Sequence, residues 1–339
     1  MSKLNLTLLL LTLFLFANCK TLKRQNVNKN TTGTKITEKT ITPKEYVNLL
    51  GKGMDVDWVK TEKGRQFYTL QMVKDFKKIG LSHVRIRIMN DADDKLLKQI
   101  DKVVIDCLNE DLIPVIAYQG ADFKGDPTEG NLNEIVLWWR KVAEHCKDYP
   151  AKVSFDLLIE CTEALNDEPE MLNQLFEKAV TEIRQTNPTR IIFISPRVRS
   201  SPEYLNDLKI PTAHNNFLMC EWHFYASGPD KTNEKKKWTT GTEAEKELIR
   251  EKIRLALAWE KKTGIETWVG AWMAGNYNKG DDYSIDEQVN FANFVTCELT
   301  KNNIPFAFNS DVKFYDRLTN NWIKKTKPVL DEILKTTCK

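Results

Sequence analysis

Eight short apolar segments alternate with longer amphipathic segments from Pro43 to the end of the chain. The apolar segments are rich in Val, Ile, Leu and aromatic residues and have the length of β-strands, whereas the segments between them carry apolar residues at helical spacing. Strands that alternate with helices run parallel, because each helix returns the chain to the same end of the sheet. The pattern therefore predicts an α/β fold, a single (β/α)8 TIM barrel over residues 43–339.

The boundaries of these units follow from the same periodicities. The predicted strands are 50–58, 83–88, 112–118, 153–159, 191–195, 217–225, 267–270 and 304–309. The predicted helices are 68–79, 94–110, 132–146, 168–185, 242–263, 285–302 and 328–334. In such a barrel the functional residues are expected at the carboxyl ends of the strands.

The first 42 residues differ from the rest of the chain. Residues 1–19 have a short basic start, an apolar stretch and then Asn18-Cys19, which resembles a lipoprotein-type signal peptide with Cys19 as the lipidated residue. Residues 20–42 are rich in Lys, Asn and Thr and are predicted to form a flexible tether. The chain is therefore expected in the periplasm or as an outer-membrane lipoprotein, with plain secretion as the alternative. The lipid anchor is then its one expected membrane contact.

Charge and cysteine spacing argue against several other classes of protein. The chain has 50 Lys and Arg against 47 Asp and Glu and no basic stripe, so no nucleic-acid partner is expected. The six cysteines after Cys19 have no C-x-x-C spacing, so neither a metal site nor a cofactor is expected, and their pairing stays open. The barrel is expected to be a monomer.

Four of the predicted strands carry the most informative residues. The fourth strand runs into Ile159-Glu160-Cys161, and the seventh runs into Gly270-Ala271-Trp272. The sixth strand ends in His223-Phe224-Tyr225, and the second contains Arg85 within Val-Arg-Ile. These segments, over most of residues 45–335, resemble glycoside hydrolase family 5, the cellulase-type (β/α)8 barrels.

The resemblance implies roles for these residues and one loss. Glu160 matches the acid/base Glu of the family's Asn-Glu-Pro motif, and Ala271 stands where the family has its nucleophilic Glu. Arg85 matches the arginine that supports the nucleophile, and His223 and Tyr225 match a His-x-Tyr motif that lines the sugar site. Retaining glycosidases need two carboxylates roughly 5–5.5 Å apart, so the usual hydrolysis is not expected.

Four arginines lie near the predicted barrel mouth. Arg85 and Arg87 share one face of the second strand, and Arg197 and Arg199 follow the fifth. Guanidinium groups bind carboxylate or sulfate in a planar fork, so the four predict an anion clamp. The alternative is that they pair with the abundant acidic residues of this chain.

Further candidate site residues follow other strands. Tyr118 and Gln119 end the third strand, Asp55, Asp57 and Trp58 end the first, and Trp272 and Asn276 follow the seventh. The two tryptophans are candidate platforms for sugar rings, although tryptophan in a barrel more often packs in the core.

A lost nucleophile and added arginines favour β-elimination on a uronate-containing, possibly sulfated, poly- or oligosaccharide, by a lyase or a dehydratase. In this hypothesis the arginines hold the uronate carboxylate. His223 removes the C5 proton, Tyr225 acts as acid or second base, and Glu160 protonates the leaving oxygen.

Two other functions stay open. A glycoside hydrolase with relocated carboxylates would use another acidic residue, with Glu163, Glu221, Asp281 and Asp311 as candidates. An inverting arrangement would tolerate a gap of about 6.5–9.5 Å. The second is a glycan-binding lipoprotein that has lost catalysis.

Overall fold

A computed structural model describes residues 40–225, 237–275, 283–335 and 338. Eight parallel strands close into a barrel in chain order, and the first strand is hydrogen-bonded to both the second and the eighth. The predicted single (β/α)8 barrel is confirmed.

The barrel strands are β1 Lys52–Val56, β2 His83–Ile88, β3 Ile113–Tyr118, β4 Ser154–Asp156, β5 Ile192–Ile194, β6 Leu218–Tyr225, β7 Thr267–Met273 and β8 Phe306–Phe308. A short hairpin, β9 Tyr315–Asp316 and β10 Asn321–Trp322, follows β8. The helices are α1 Pro43–Leu50, α2 Glu62–Gln66, α3 Leu70–Lys78, α4 Asp94–Asn109, α5 Ala121–Gly125, α6 Glu129–His145, α7 Pro169–Arg184, α8 Arg197–Ser200, α9 Glu243–Thr263, α10 Ile285–Lys301, α11 Asp311–Phe314 and α12 Lys327–Lys335.

The barrel interior has an apolar lower half. Side chains alternate between the two faces of each strand, so every second residue points to the barrel axis. Val115, Phe193 and Trp268 form a buried cluster there with Tyr46 and Leu50 of α1. Helix α1 thus covers the amino-terminal end of the barrel, and this leaves the carboxyl end for polar chemistry.

Two parts of the chain, the helix before β1 and the connection from β5 to β6, differ from a regular alternation of strand and helix. Helix α1 was not predicted, although its capping box, formed by Thr42 and Glu45, is visible in the sequence. The connection from β5 to β6 contains the short turn α8 and a 3-10 helix, Pro202–Asp207, instead of a long helix. The β5 exit is therefore an irregular loop beside the mouth.

The described cysteines are mostly buried. Cys297 and Cys338 form a disulfide, whereas Cys107, Cys146, Cys161 and Cys220 are buried free thiols. Within the described ranges no helix is long and apolar enough to cross a membrane. The predicted signal peptide with Cys19, and the tether up to residue 39, lie outside the described residues.

Candidate active site

A buried ionic cluster around Arg85 fills the upper half of the barrel. The guanidinium lies over the Trp268 ring at 5.7 Å, so the apolar lower layer forms its floor. Its Nε donates to Asp156 Oδ2 at 2.7 Å, and its Nη2 also contacts Glu221. Asp55 Oδ2 lies 3.5 Å from Nη1. One arginine therefore faces three carboxylates contributed by β1, β4 and β6.

Burial and charge act in opposite directions on these groups. Burial disfavours the charged form of Arg85, but Asp156, Glu221 and Asp55 outweigh it and raise the pKa of the guanidinium. Burial dominates at Asp156 and raises the pKa of that carboxyl well above its usual range. At Glu221 burial is outweighed by Arg85 and His223, and the pKa is lowered. Glu221 is therefore an ionised partner of Arg85.

His223, Tyr225 and Glu160 form a hydrogen-bonded row above this cluster. His223 Nε2 contacts the Glu221 carboxylate, and His223 Nδ1 lies 3.1 Å from the Tyr225 hydroxyl. The Tyr225 hydroxyl in turn donates to Glu160 Oε1. The sequence-predicted residues His223, Tyr225 and Glu160 are thus brought together.

The row has defined protonation preferences. Burial disfavours a charged His223, but the Glu221 and Glu160 carboxylates outweigh it and raise the pKa of the imidazole. Burial, together with the Glu160 carboxylate, raises the pKa of Tyr225 well above its usual value. His223 is therefore biased toward the imidazolium, and Tyr225 remains a proton donor to Glu160.

Glu160 is held by an unusual backbone. Its φ is +57°, a left-handed conformation that is uncommon for a residue with a side chain. On the facing loop, Val198, Arg199 and Ser200 also have positive φ, and the Arg199 N–H donates to the Cys161 carbonyl at 2.7 Å. Strained backbone of this kind tends to occur at functional sites. Here it occurs at Glu160 and on the loop whose Arg199 lies 3.6 Å from the Glu160 carboxylate.

A cavity of about 120 Å³ opens beside Glu160. Ala271 contributes to its wall, so the residue predicted to stand in place of a nucleophilic Glu faces the cavity. The lining residues are Asp55, Lys60, Arg85, Arg87, Gln119, Ile159, Glu160, His223, Tyr225, Ala271 and Asn309. Lys60 and Asn309 were not predicted as site residues, although Lys60 follows the first predicted strand and Asn309 ends the eighth.

The arginines of the predicted clamp already have carboxylate partners. Arg87 Nη2 lies 2.6 Å from Asp57 Oδ1, and Arg87 Nη1 also donates to Asn309 at 3.0 Å. Asp156 lies 2.6 Å from Arg85. Arg85 and Arg87 therefore pair with acidic residues, as the alternative prediction had it.

The two arginines after β5 lie farther from the cavity wall. Arg197 Nε lies 2.6 Å from Asp207 Oδ2, and its guanidinium stacks over the Tyr204 ring at 4.2 Å. Arg199 Nη1 lies 3.6 Å from Glu160 Oε2. Arg199 therefore adjoins the site through Glu160, whereas Arg197 belongs to the loop surface.

The aromatic candidates contribute to packing. Trp58 and Trp272 are both 0% exposed and pack against other aromatic rings, so neither offers a face to a sugar. Tyr118 stacks on Trp138 at 4.0 Å, while the next residue, Gln119, lines the cavity. The expectation of substrate contacts from Trp58 and Trp272 is corrected, because helix packing covers both rings.

The other candidate carboxylates are dispersed. Glu163 is exposed at the start of a 3-10 helix, and Glu221 is fully buried beneath His223. Asp311 is buried against Arg317 and accepts the Asp57 N–H at 3.1 Å. Asn276 and Asp281 lie outside the described residues. In the described part of the chain no group of His, Cys, Asp and Glu is arranged to hold a metal ion.

Comparison with known proteins agrees with this architecture. The family model "Cellulase (glycosyl hydrolase family 5)" matches residues 43–309. The chain belongs to glycosyl hydrolase family 5. This confirms the resemblance inferred from the strand-end motifs and establishes a carbohydrate-active enzyme fold.

The individual relatives are distant. Endoglucanase H of Acetivibrio thermocellus is 22% identical over 308 residues, which cover 84% of this chain and 33% of the relative. The chain thus spans about a third of that protein's length. Endoglucanase Cel5A of Thermotoga maritima superposes with a TM-score of 0.73 at 24% identity, covering 86% of this chain and 100% of the other. A broad-specificity family 5 endoglucanase from Clostridium longisporum superposes with a TM-score of 0.75 at 17% identity, covering 88% of this chain and 99% of the other. At these identities the structural likeness establishes the fold.

Proposed function

We propose that this protein is a glycoside hydrolase that cleaves a neutral, β-linked polysaccharide of the glucan type. The observation that carries the proposal is the place of Glu160. It occupies the family's acid/base position, borders the cavity and accepts a hydrogen bond from Tyr225. The similarity to endoglucanases supports a β-glucan as the substrate class.

Glu160 is suited to protonating the oxygen of the scissile bond. Tyr225 holds one carboxyl oxygen, and His223 Nδ1 lies 3.5 Å from the same oxygen, so both residues help to fix the carboxyl group. A positioned general acid of this kind contributes a factor of about 10²–10⁴ to the rate. Glu160 can donate its proton when the leaving sugar lies on the Glu160 side of the cavity.

The charge around the cavity supports a neutral substrate. Arg85, Arg87 and Arg197 each have a carboxylate 2.6 Å away, and Arg199 has Glu160 at 3.6 Å. An anionic sugar would have to compete with these partners for the guanidinium groups. A neutral sugar with hydroxyl groups does not have to displace a carboxylate from a guanidinium group.

β-Elimination on a uronate is the second candidate, because His223, Tyr225 and Glu160 form a continuous hydrogen-bonded row. It ranks second for a reason of protonation. Elimination needs a base at C5, whereas the raised pKa values of His223 and Tyr225 favour the protonated form of both groups.

A direct assay separates these reactions. The purified protein is incubated with mixed-linkage β-glucan, cello-oligosaccharides and mannan, and in parallel with uronate polysaccharides. New reducing ends from a neutral glycan without an ultraviolet band support hydrolysis. The ultraviolet band of an unsaturated uronate would establish elimination instead, and binding without either product would identify a glycan-binding protein.

The variant Glu160→Gln tests the residue that carries the proposal. Because the amide cannot donate a carboxylic proton, we expect kcat on a β-glucan to fall by about 10²–10⁴ while the fold is retained. Glu168→Gln makes the same change at an exposed position of the same loop and is expected to leave kcat unchanged. Equal activity of the two variants would contradict the role of Glu160.

A further inference from the structure

Asp55 occupies a position in the barrel that mirrors that of Ala271. Strands β1 and β7 are the two neighbours of β8 in the closed barrel, and each lies three strands from β4. Glu160 follows β4, so carboxylates at the carboxyl ends of β1 and β7 approach it from two adjacent directions. A carboxylate lost from β7 can therefore be replaced from β1.

Arg85 links the two positions directly. Its Nη1 atom lies 3.5 Å from Asp55 Oδ2 and 3.4 Å from the carbonyl oxygen of Gly270, the residue before Ala271. In the family this arginine supports the strand-seven nucleophile. Here Nη1 of Arg85 lies next to the carboxylate of Asp55, which β1 contributes.

One oxygen of Asp55 is buried without a hydrogen-bond partner among the described residues. The residue is 1% exposed, and its Oδ2 faces Arg85 and Arg87 at 3.5 Å each. Its Oδ1 has no hydrogen-bond partner among the described residues, and the residue lines the cavity together with Ala271 and Glu160. A buried acceptor without a partner costs roughly 1–3 kcal/mol, so its presence here calls for an explanation.

We propose that Asp55 is the second catalytic carboxylate, a general base that activates a water molecule in the cavity. This inference rests on the proposed hydrolysis. Asp156 and Glu221 are fully buried and are not among the residues that line the cavity, and Asp57 is paired with Arg87. Asp55 therefore fits this role better than the other acidic residues of the cluster.

The reaction is an inverting hydrolysis. The shortened side chain at position 271 leaves space, and a cavity of about 120 Å³ holds a few waters at roughly 30 Å³ each. Asp55 accepts a proton from one of these waters as its oxygen attacks the anomeric carbon. The bond from that carbon to the glycosidic oxygen breaks, and Glu160 gives its proton to the departing oxygen. One water is consumed, and a β-linkage yields an α-anomer.

The electrostatics of Asp55 agree with the task of a base. Burial raises its pKa to about 6, opposed by Arg85, Arg87 and His223 and assisted by Glu221. A base with a pKa near neutrality accepts a proton readily and is still ionised at neutral pH. The activity is therefore expected to rise as the pH passes through about 6.

The stereochemistry of the wild-type product and the variant Asp55→Asn test this role. We expect the freshly released reducing end to be the α-anomer by NMR, and kcat of Asp55→Asn to be lower by about 10²–10⁴ with a similar KM. Asp91→Asn, at an exposed position after β2, is the matched control and is expected to retain full activity. The double variant Asp55→Asn/Ala271→Glu is expected to regain hydrolysis with retention, because it restores the family's nucleophile.

The outcomes distinguish this inference from the proposed function. Release of the β-anomer by the wild type, or full activity of Asp55→Asn, would overturn the role of Asp55 and leave glycoside hydrolysis standing. Absence of hydrolysis on every neutral glycan would overturn both. The stereochemical test needs no variant, so it is valid even if Asp55→Asn folds poorly.

Discussion

At the scale of one residue, the ionised carboxylate that Asp55 needs as a base is also a group that destabilises the folded protein. Its carboxylate is buried beside two arginines, yet the net effect of its surroundings is to raise its pKa from 3.8 to about 6. Compared with the unfolded chain, the folded protein favours the neutral form of Asp55, and ionisation of Asp55 lowers the free energy of unfolding. Residues of this kind are expected where activity has been kept at the expense of stability.

The sign of this effect gives a prediction for Asp55→Asn. A pKa raised on folding contributes stability that is present below pH 3.8 and is lost as the pH rises through 6. We expect Asp55→Asn to be more stable than the wild type by on the order of 1–3 kcal/mol near pH 8, and by little near pH 4. Denaturant unfolding at both pH values measures this difference. A variant that is less stable than the wild type near pH 8 would contradict the assignment.

At the scale of elements, the pairing of β6 with β7 decides where the buried charges lie. The register between these strands shifts between Trp222 and His223, so His223 pairs with Ala271. Below this point Glu221 occupies the space beside Gly270, and a Cβ atom at position 270 would overlap the Glu221 carboxylate. The glycine thus makes room for the acidic partner of Arg85.

Gly270→Ala is therefore expected to destabilise the barrel by about 1–3 kcal/mol, the usual cost of overpacking a core. Gly130→Ala is the control, because the nearest heavy atom to a Cβ there lies 3.8 Å away and the residue is within α6. Thermal unfolding of both variants measures the effect. Unchanged stability of Gly270→Ala would show that Glu221 does not pack against β7.

At the scale of the whole molecule, we propose that the barrel is exported and anchored through Cys19. The disulfide between Cys297 and Cys338 supports this proposal, because disulfides persist outside the reducing cytoplasm. The catalytic mouth would then face glycans of the cell envelope or its surroundings.

Lipidation has a direct consequence for partitioning. We expect the wild-type protein expressed in a bacterial host to enter the detergent phase in a phase-separation assay, and Cys19→Ser to remain in the aqueous phase. A wild-type protein found in the aqueous phase and secreted would favour plain secretion.

Much of the architecture was predictable from local pattern. Segments such as 83–88 and 94–110 carry strand and helix periodicity clearly, and the structure places β2 and α4 there. The strand-end motifs around Glu160, His223 and Tyr225 were also visible, because residues at consecutive strand ends of a barrel meet at one mouth. Helix α1 was missed although its cap was readable, because an apolar strand signal follows it directly.

The sequence by itself determined the barrel, its family and the absence of a carboxylate at Ala271, since each depends on periodicity or on local motifs. Only the tertiary structure decided which charges neutralise one another. Arg87 with Asp57 and Arg197 with Asp207 are ion pairs that a list of strand ends does not reveal. The burial of Trp58 and Trp272 and the approach of Asp55 to Arg85 depend on which elements pack across the barrel. Ion pairs and burial depend on which residues lie close together in space. Residues far apart in the chain become neighbours only when the whole barrel has formed.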